Sequence, residues 1–354
     1  MQRWTKEQAR DWQEKYGWLA GFNYLPRTAG NWIEMWQAED FAAEIIDQEL
    51  GWAAAIGYNC LRTNLSYQVW EQNRAGLHRR LETFLAHCQR HGIHVVLTLM
   101  DDCEFSDQTP TTGQQTPPLE GIHNSIALGS PGRRFVCQPD LWPRLKDYIT
   151  DMLDTYSQDE RIICWDLYNE PTNRMVFSTE KADDYLTRFP ESFSHDLMIE
   201  TFQWARKVNP SQPLTVAAWK TQDDNPHYRF HFDNETDQLA LSLSDVITFH
   251  GYTSNEEMQK MIDVLKRHDR PMLCTEWMAR HTHSTIKQQL PLFKHHHIGC
   301  FQWGLVNGKT QTHLPWPHIT VDKTESNLWF HDLLYADGTP YDDEEITVLK
   351  KLIS

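Results

Sequence analysis

The chain has 354 residues, of which 40% are hydrophobic and 23% are charged, so it is long enough and apolar enough to bury a sizeable core. Its 49 acidic and 33 basic residues give a formal net charge of −16. A protein with this charge repels phosphate backbones, which argues against general nucleic-acid binding and leaves neutral ligands open.

Short β-rich runs alternate with longer amphipathic segments along the chain. The predicted strands cover residues 18–23, 59–63, 94–100, 162–169, 214–218, 245–250, 271–275 and 299–303. The predicted helices cover residues 41–56, 77–91, 141–156, 194–208, 255–267 and 284–296, and several of them stop just before a Gly or Pro. This alternation predicts an α/β fold, a single (β/α)8 TIM barrel with extended βα loops.

No internal repeat or composition break divides the sequence, so we expect one domain over residues 1–354. A stretch rich in Thr, Gln and Pro follows the third strand and predicts a long loop over residues 106–134 on the active face of the barrel. The seven cysteines are widely spread without a Cys-x-x-Cys pair, which is typical of a reducing compartment. The sequence shows neither an apolar leader nor a membrane-spanning stretch, so a cytoplasmic protein without a membrane partner is expected.

Two apolar strands end in a glutamate. The fourth strand runs into Asn169, Glu170 and Pro171, and the proline stops the strand so that Glu170 lies at its carboxyl end. The seventh strand ends in Glu276 and Trp277. Carboxyl groups at the ends of parallel strands can converge over the mouth of a barrel. Glycoside hydrolysis needs such a pair, one group to protonate the leaving oxygen and one to act at the sugar carbon.

With Asn169-Glu170-Pro171 at the fourth strand and Glu276 at the seventh, the sequence resembles the clan A glycoside hydrolases, most of all family 5. The resemblance extends over residues 21–303. It implies a β-glycosidase with Glu170 as acid/base, Glu276 as nucleophile and Asn169 bound to the 2-hydroxyl of the reacting sugar. It implies no metal and no cofactor. Because the sequence shows no export signal and no linker to an accessory sugar-binding module, we expect a small oligosaccharide as the substrate.

Four further residues match the family's strand ends. The resemblance implies that Arg62 after the second strand supports the nucleophile and that His250 and Tyr252 form the family's His-x-Tyr at the sixth strand. It also implies that Trp303 on the eighth strand forms the floor of the reacting-sugar site. Taken alone, Arg62 is as easily explained by a structural ion pair and His250 by a satisfied core histidine, and a residue such as Trp303 is more often part of the core.

The charges around the two glutamates have separate expected effects. Arg62 and the hydroxyl of Tyr252 can hold Glu276 ionised, which would lower its pKa. Glu170 then faces a negative charge, which would raise its pKa and keep it protonated as an acid. Carboxyl groups about 5–5.5 Å apart would give retention through a covalent glycosyl-enzyme intermediate.

The end of the third strand departs from the family, which often has a His there. This chain has Asp101 and Asp102 instead. The pair can bind two adjacent hydroxyls of a terminal sugar, or it can fix a loop or cap a helix, and the sequence leaves both open. With the long loop that follows, it suggests exo action of the β-mannosidase or β-glucosidase type.

Other functions remain possible at this level. The chain can be an endo-acting β-glycanase of the cellulase, mannanase or xylanase type, or a non-catalytic carbohydrate-binding barrel, although the presence of both glutamates disfavours the latter. A metal-dependent barrel hydrolase is disfavoured because the first strand ends without a His-x-His. Histidines 295–297 and 281 with 283 are interpreted as a solvated helix end and as loop contacts. The sequence indicates neither the sugar nor the oligomeric state.

Overall fold

The structure is a computed structural model that describes residues 2–173, 190–222, 225 and 227–353. Its centre is one sheet of eight parallel strands in the order β5-β4-β3-β2-β1-β8-β7-β6. The strands are β1 Ala20–Asn23, β2 Cys60–Asn64, β3 His94–Asp101, β4 Ile162–Asn169, β5 Leu214–Thr215, β6 Ile247–His250, β7 Met272–Trp277 and β8 Gly299–Trp303.

Residue Ala218 joins the two ends of the sheet. It forms a parallel bridge to Phe249 of β6, donates its N–H to the carbonyl of Thr248 at 3.0 Å, and accepts the N–H of His250 at 3.0 Å. The sheet therefore closes into a barrel, and the predicted (β/α)8 fold is confirmed. Strand β5 is shorter than the predicted run 214–218, because only its first two residues pair with β4.

Helices surround the sheet. They are α1 Lys6–Tyr16, α2 Trp32–Trp36, α3 Ala43–Ile56, α4 Tyr67–Arg90, α5 Arg133–Val136, α6 Trp142–Thr155, α7 Glu191–Val208, α8 Glu235–Leu243, α9 Asn255–Leu265, α10 Ile286–His295 and α11 Asp343–Ile353. All six predicted helices are present. The prediction missed α1, α2, α5, α8 and α11, and it missed the first turns of α4, where Asn73 has non-helical angles (φ −152°, ψ 72°).

Burial on both faces explains the apolar strands. Every position of β4 is buried, and only the first residue of β3 is partly exposed. One face of the sheet meets the barrel interior and the other meets the helices, so most strand positions are apolar, and two charged exceptions, Arg62 and Asp166, pair with each other at 2.7 Å. At the N-terminal end of the barrel, α1 covers the opening: Trp12 is buried and its Nε1–H donates to the carbonyl of Ile163 at 2.8 Å.

The opposite, C-terminal end carries long loops. Residues 106–132 after β3 contain no helix, in agreement with the predicted loop, and only Ser130 and Pro131 bridge back to Asp101. The loop after β8 covers residues 304–342 before α11 begins. In the part of the chain that the structure describes, no helix has the length and apolar character needed to cross a membrane. None of the seven cysteines, all of which lie among the described residues, forms a disulfide bond.

Candidate active site

The two strand-end glutamates face each other over the barrel mouth. One carboxylate oxygen of Glu170, one of Glu276 and a ring nitrogen of His250 all lie within 4.8 Å of one another. Glu170 follows the last residue of β4 and has a left-handed backbone (φ 43°), whereas Glu276 belongs to β7. Left-handed angles are rare outside glycine and are often found at functional sites. Both side chains are buried.

Arg62, on β2, connects the two glutamate-bearing strands. Its guanidinium donates to Glu276 at 2.9 Å, to Asp166 at 2.7 and 2.9 Å, and to the side-chain oxygens of Asn169 at 2.6 Å and Asn23 at 2.8 Å. It is almost fully buried, at 1% exposed. Burial opposes its charge, but the carboxylates of Asp166 and Glu276 outweigh burial and raise the pKa of Arg62. The guanidinium therefore remains a fixed positive charge at this end of the barrel.

Glu276 is held at both oxygens. One accepts from Arg62 at 2.9 Å and the other accepts from the hydroxyl of Tyr252 at 2.8 Å. The pKa of Glu276 is nevertheless raised, because burial is the largest influence and the charge of Glu170 adds to it; His250, Arg62 and Tyr252 oppose the rise. The sequence led us to expect a lowered pKa for Glu276, and that expectation was wrong because it omitted burial.

His250 lies between the two glutamates. Its Nδ1 is 2.7 Å from an oxygen of Glu170 and 3.6 Å from an oxygen of Glu276, and the residue is 2% exposed. Burial, with a further contribution from Arg62, lowers the pKa of His250 to about 4, so the ring is neutral near pH 7. A neutral ring can exchange a hydrogen bond with Glu170 in either protonation state of that carboxyl group, depending on the tautomer.

Asn169, the residue before Glu170, is held in place by hydrogen bonds to both the oxygen and the nitrogen of its side-chain amide. The oxygen accepts from Arg62, and the nitrogen donates to Asp101 at 2.8 Å. This leaves the second N–H of the amide for a ligand, because an amide nitrogen carries two hydrogens. Asp101 is buried at the end of β3, and burial raises its pKa to about 7.

Asp102 has contacts of a different kind. One oxygen accepts from the hydroxyl of Tyr168 at 2.7 Å, and the other accepts from the backbone N–H of Thr172 at 2.8 Å. The side chain is buried and does not line the cavity. Of the two alternatives that the sequence left open, these contacts correspond to loop fixing, because Asp102 ties the segment after Glu170 to the end of β3.

A cavity of about 260 Å³ opens above the glutamates. Its lining includes every residue proposed from the sequence except Arg62 and Asp102, which lie behind it. The indole of Trp303 is partly exposed at this cavity, which suits a ring that contacts the apolar face of a sugar. Further rings in the lining are Trp32, Phe105, Trp219 and Trp316. The cavity therefore combines flat apolar surfaces with three carboxyl groups, those of Asp101, Glu170 and Glu276.

The sequence missed several lining residues that come from loops. His123 and Asn124 come from the loop after β3, whereas Trp316 and His331 come from the loop after β8. No strand-end pattern marks them, so the sequence offered no signal. The histidines that the sequence did single out lie elsewhere: the carbonyl of His297 accepts from α1, at the far end of the barrel, and residues 281 and 283 do not line the cavity.

Glu170, His250 and Glu276 are also residue types that bind metal ions, and their ligand atoms are close enough to share one. Both oxygens of Glu276 already accept from Arg62 and Tyr252, however, and the positive guanidinium at 2.9 Å repels a cation. The donor set thus favours a hydrogen-bonded pair of carboxyl groups over a metal centre.

Comparisons with known proteins agree with this geometry. The family described as Cellulase (glycosyl hydrolase family 5) matches residues 28–309, about four fifths of the chain. Among curated proteins, none is similar to the chain by sequence. The fold is similar to that of GH5_18 from Streptomyces cattleya, solved as a Glu-to-Ala variant in complex with Manβ1-4GlcNAc (14% identity, 95% of this chain and 80% of that one, TM-score 0.57).

Two further solved structures share the fold. One is an exo-β-1,4-mannosidase from Opitutaceae bacterium strain TAV5, at 16% identity over 95% of this chain and 59% of that one, with a TM-score of 0.58. The other is an endo-β-1,4-mannanase from Thermotoga petrophila, at 12% identity over 97% of this chain and 77% of that one, with a TM-score of 0.58. At these identities the similarity concerns the fold.

Proposed function

The chain belongs to glycosyl hydrolase family 5, and from that premise we propose that it removes terminal β-mannosyl units from short β-linked oligosaccharides by a retaining double displacement. The observation that carries the mechanism is the spacing of Glu170 and Glu276, whose nearest oxygens are within 4.8 Å. Inverting enzymes place their carboxyl groups about 6.5–9.5 Å apart to admit a water between them, whereas retaining enzymes use about 5–5.5 Å.

In the first proposed step, a carboxylate oxygen of Glu276 attacks the anomeric carbon. The bond from that carbon to the leaving oxygen breaks, and the leaving oxygen takes the proton of Glu170. Arg62 and Tyr252 aim the carboxylate through hydrogen bonds to its two oxygens. In the second step, Glu170 takes a proton from water, the water oxygen attacks the anomeric carbon, and Glu276 leaves as a carboxylate. The product keeps the β configuration.

These roles are tested by single alanine variants. Glu170→Ala should lower kcat/KM by about 10²–10⁴-fold on substrates with poor leaving groups and much less on dinitrophenyl glycosides, because an activated leaving group needs no proton. Glu276→Ala should abolish turnover, and azide should restore it with formation of a glycosyl azide of inverted configuration. Equal losses on both leaving groups for Glu170→Ala would contradict the assignment of the acid.

The stereochemical part of the proposal has its own measurement. Proton NMR during the first minutes of hydrolysis should show the β anomer of the released sugar, before mutarotation mixes the anomers. An initial α anomer would mean that water attacks directly and that Glu276 acts as a base. The two outcomes give separate anomeric signals, so one early spectrum decides between them.

Exo action is supported by the contacts between the loops after β3 and β8. The backbone N–H of Asn124 donates to the carbonyl of Thr310 at 2.7 Å, and the Nδ1–H of His123 donates to the carbonyl of Leu314 at 2.7 Å. The side chain of Gln311 bonds three further backbone groups of the loop after β3. These contacts close one side of a cavity whose volume lies at the small end for ligand pockets.

The choice of mannose rests on what the similar structures are said to bind and cleave: one was crystallised with Manβ1-4GlcNAc, and another is an exo-β-1,4-mannosidase. The test is a panel of nitrophenyl β-glycosides together with soluble β-mannan and β-glucan. We expect hydrolysis of the β-mannoside, and release of monosaccharide from mannan without loss of viscosity. Rapid loss of viscosity with mixed oligosaccharide products would show endo cleavage, as the endo-mannanase fold neighbour would suggest.

We also propose that the enzyme works in a reducing compartment. None of the seven cysteines forms a disulfide bond, and five of them are buried, where an apolar surrounding suits a neutral thiol. Protein purified without reductant and then unfolded should react with seven equivalents of a thiol reagent. A lower number would indicate disulfide formation and an oxidising environment.

A further inference from the structure

Two histidines from different loops form part of the cavity wall. His123 comes from the loop after β3 and His331 from the loop after β8, and their ring centroids are 5.4 Å apart. His331 also contacts Tyr252, the partner of the nucleophile, at 5.5 Å between centroids, and Trp303 at 6.4 Å. The pair therefore lies beside the position proposed for the reacting sugar. Both residues are buried, at 2% and 1% exposed.

Backbone carbonyls fix the tautomer of both rings. The Nδ1 of His123 is 2.7 Å from the carbonyl oxygen of Leu314, and the Nδ1 of His331 is 2.5 Å from that of Met278. A carbonyl accepts only, so each Nδ1 must carry a hydrogen. The Nε2 of a neutral ring is then an acceptor. Within the described residues, neither Nε2 makes a hydrogen bond to another protein group.

The rings are also neutral near pH 7. Burial lowers the pKa of His123 to about 4, and burial together with the neighbouring His123 lowers the pKa of His331 well below its usual value. A protonated ring would turn Nε2 into a donor, but neither ring is protonated near pH 7. The wall thus presents two acceptors and no positive charge.

The rest of the cavity lining also favours a ligand without a negative charge. Among the described residues that line the cavity, the ionisable acids are Asp101, Glu170 and Glu276, and none is a Lys or Arg. A carboxylate on the substrate would meet acceptors and negative charges without a cation to pair with it, and burying an unpaired charge is costly. Hydroxyl groups, by contrast, can donate to the acceptors that the wall offers.

We propose that His123 and His331 recognise the terminal, uncharged sugar by accepting hydrogen bonds from its hydroxyl groups at Nε2, and so select neutral glycosides over uronic acids. This proposal rests on the proposed function. The anomeric carbon must face Glu170 and Glu276, and the 2-hydroxyl is assigned to Asn169. The opposite edge of the sugar, with its 4- and 6-hydroxyls, therefore remains to face the histidine wall.

The test uses two substitutions of His331 that distinguish the roles of its two ring nitrogens, Nδ1 and Nε2. His331→Asn keeps a hydrogen-bonding group near the position of Nδ1, toward the carbonyl of Met278, and removes the acceptor at the cavity. His331→Gln places its amide near the position of Nε2 and keeps that acceptor. The control is His281→Asn, a ring that contacts the same neighbour, Phe330, as His331 does but does not line the cavity. Melting temperatures accompany each variant.

We expect His331→Asn to lower kcat/KM on nitrophenyl β-mannoside by about 5- to 100-fold, since a hydroxyl is then buried without a partner. The loss should be at most about twofold on either the 4-deoxy or the 6-deoxy substrate, whichever lacks the recognised hydroxyl, and His331→Gln should recover part of it. Equal losses on the parent and both deoxy substrates, or wild-type hydrolysis of the β-glucuronide as fast as of the neutral glycosides, would overturn the recognition proposal alone. A wild-type enzyme inactive on every glycoside would overturn the proposed function as well.

Discussion

Replacing Asp101 by Asn tests how the site holds the residue before its acid. One oxygen of Asp101 accepts from Asn169 and from the N–H of Cys103, both at 2.8 Å. The other accepts from Trp32 at 3.1 Å and from Asn64 at 2.8 Å. An asparagine has one oxygen and one NH2 group, so in either orientation the NH2 group faces two donors. The amide of Asn169 then has a weaker acceptor or none.

The size of the effect follows from that one contact. A hydrogen bond to a charged acceptor contributes roughly 1.5–3 kcal/mol, and one to a neutral acceptor roughly 0.5–1.5 kcal/mol. If the contact persists with a neutral partner, kcat/KM should fall about 5-fold, and if it is lost, the fall should approach 100-fold. The pKa of Asp101 is about 7, so the wild-type side chain gains its full charge only above that pH. The ratio of wild-type to variant activity should therefore grow between pH 6 and pH 8.5.

The assay compares a nitrophenyl β-mannoside with its 2-deoxy analogue. If Asp101 acts through Asn169, the variant should lose activity on the parent sugar and little on the analogue, because Asn169 is proposed to bind the missing hydroxyl. Asp151→Asn is the matched control: this buried carboxylate accepts from Trp70 at 2.6 Å, away from the cavity, so it should lower stability without changing kcat/KM. Equal losses on both substrates at every pH would refute the reasoning.

Two further predictions concern the loops. Burial raises the pKa of Asp332 from 3.8 to about 7, so the folded state holds a proton there that the unfolded state releases, and stability should fall by up to about 4 kcal/mol as pH rises from 4 to 7. Asp332→Asn should reduce this dependence in unfolding experiments at pH 5 and 8; an unchanged difference would contradict it. Gln311→Ala removes the side chain that accepts from Gly121 at 2.9 Å and donates to Leu119 at 2.7 Å, and should raise KM about 3- to 10-fold with kcat preserved. A fall in kcat at constant KM would place the loop contact in the chemical step.

The barrel could be predicted because its strands are buried on both faces. Runs such as 162–169 are mainly apolar, with Asp166 as their one charged residue and Asn169 at the end, and this pattern is visible without a structure. Helix α1 escaped prediction because only Ala9 and Trp12 of its eleven residues are buried and most of the others are polar, so few apolar residues mark it as a helix that packs on the core. Strand β5 was predicted too long because its apolar residues continue past the two that pair with β4.

The positions of the residues around Glu276 agreed with the sequence-based expectation better than its pKa did. The structure brings Arg62 and Tyr252 to the two oxygens of Glu276, as the strand-end pattern suggested. Yet the pKa of Glu276 rises, because the cost of burying its charge exceeds what the two partners return. Burial depends on the loops that cover the site, and a motif contains no information about them. The same limit applied to Asp102, whose bonds to Tyr168 and Thr172 only the folded chain reveals.

The residues proposed for the chemistry and those proposed for sugar recognition are held in place in different ways. Glu170 and Glu276 stand on strands whose positions the closed ladder fixes, so the residues that react must lie at fixed places in the sequence. His123 and His331 are 208 positions apart and meet because the loops after β3 and β8 bond to each other, through the backbones of Asn124 and Thr310 and through the side chains of His123 and Gln311. These contacts lie within the loops and not on the strands, so the loops can change without disturbing the strands. Replacing residues 106–132 and 304–342 together by the corresponding loops of another family member should therefore alter which sugar is accepted. The distance between Glu170 and Glu276 should not change, and the released anomer should stay the same.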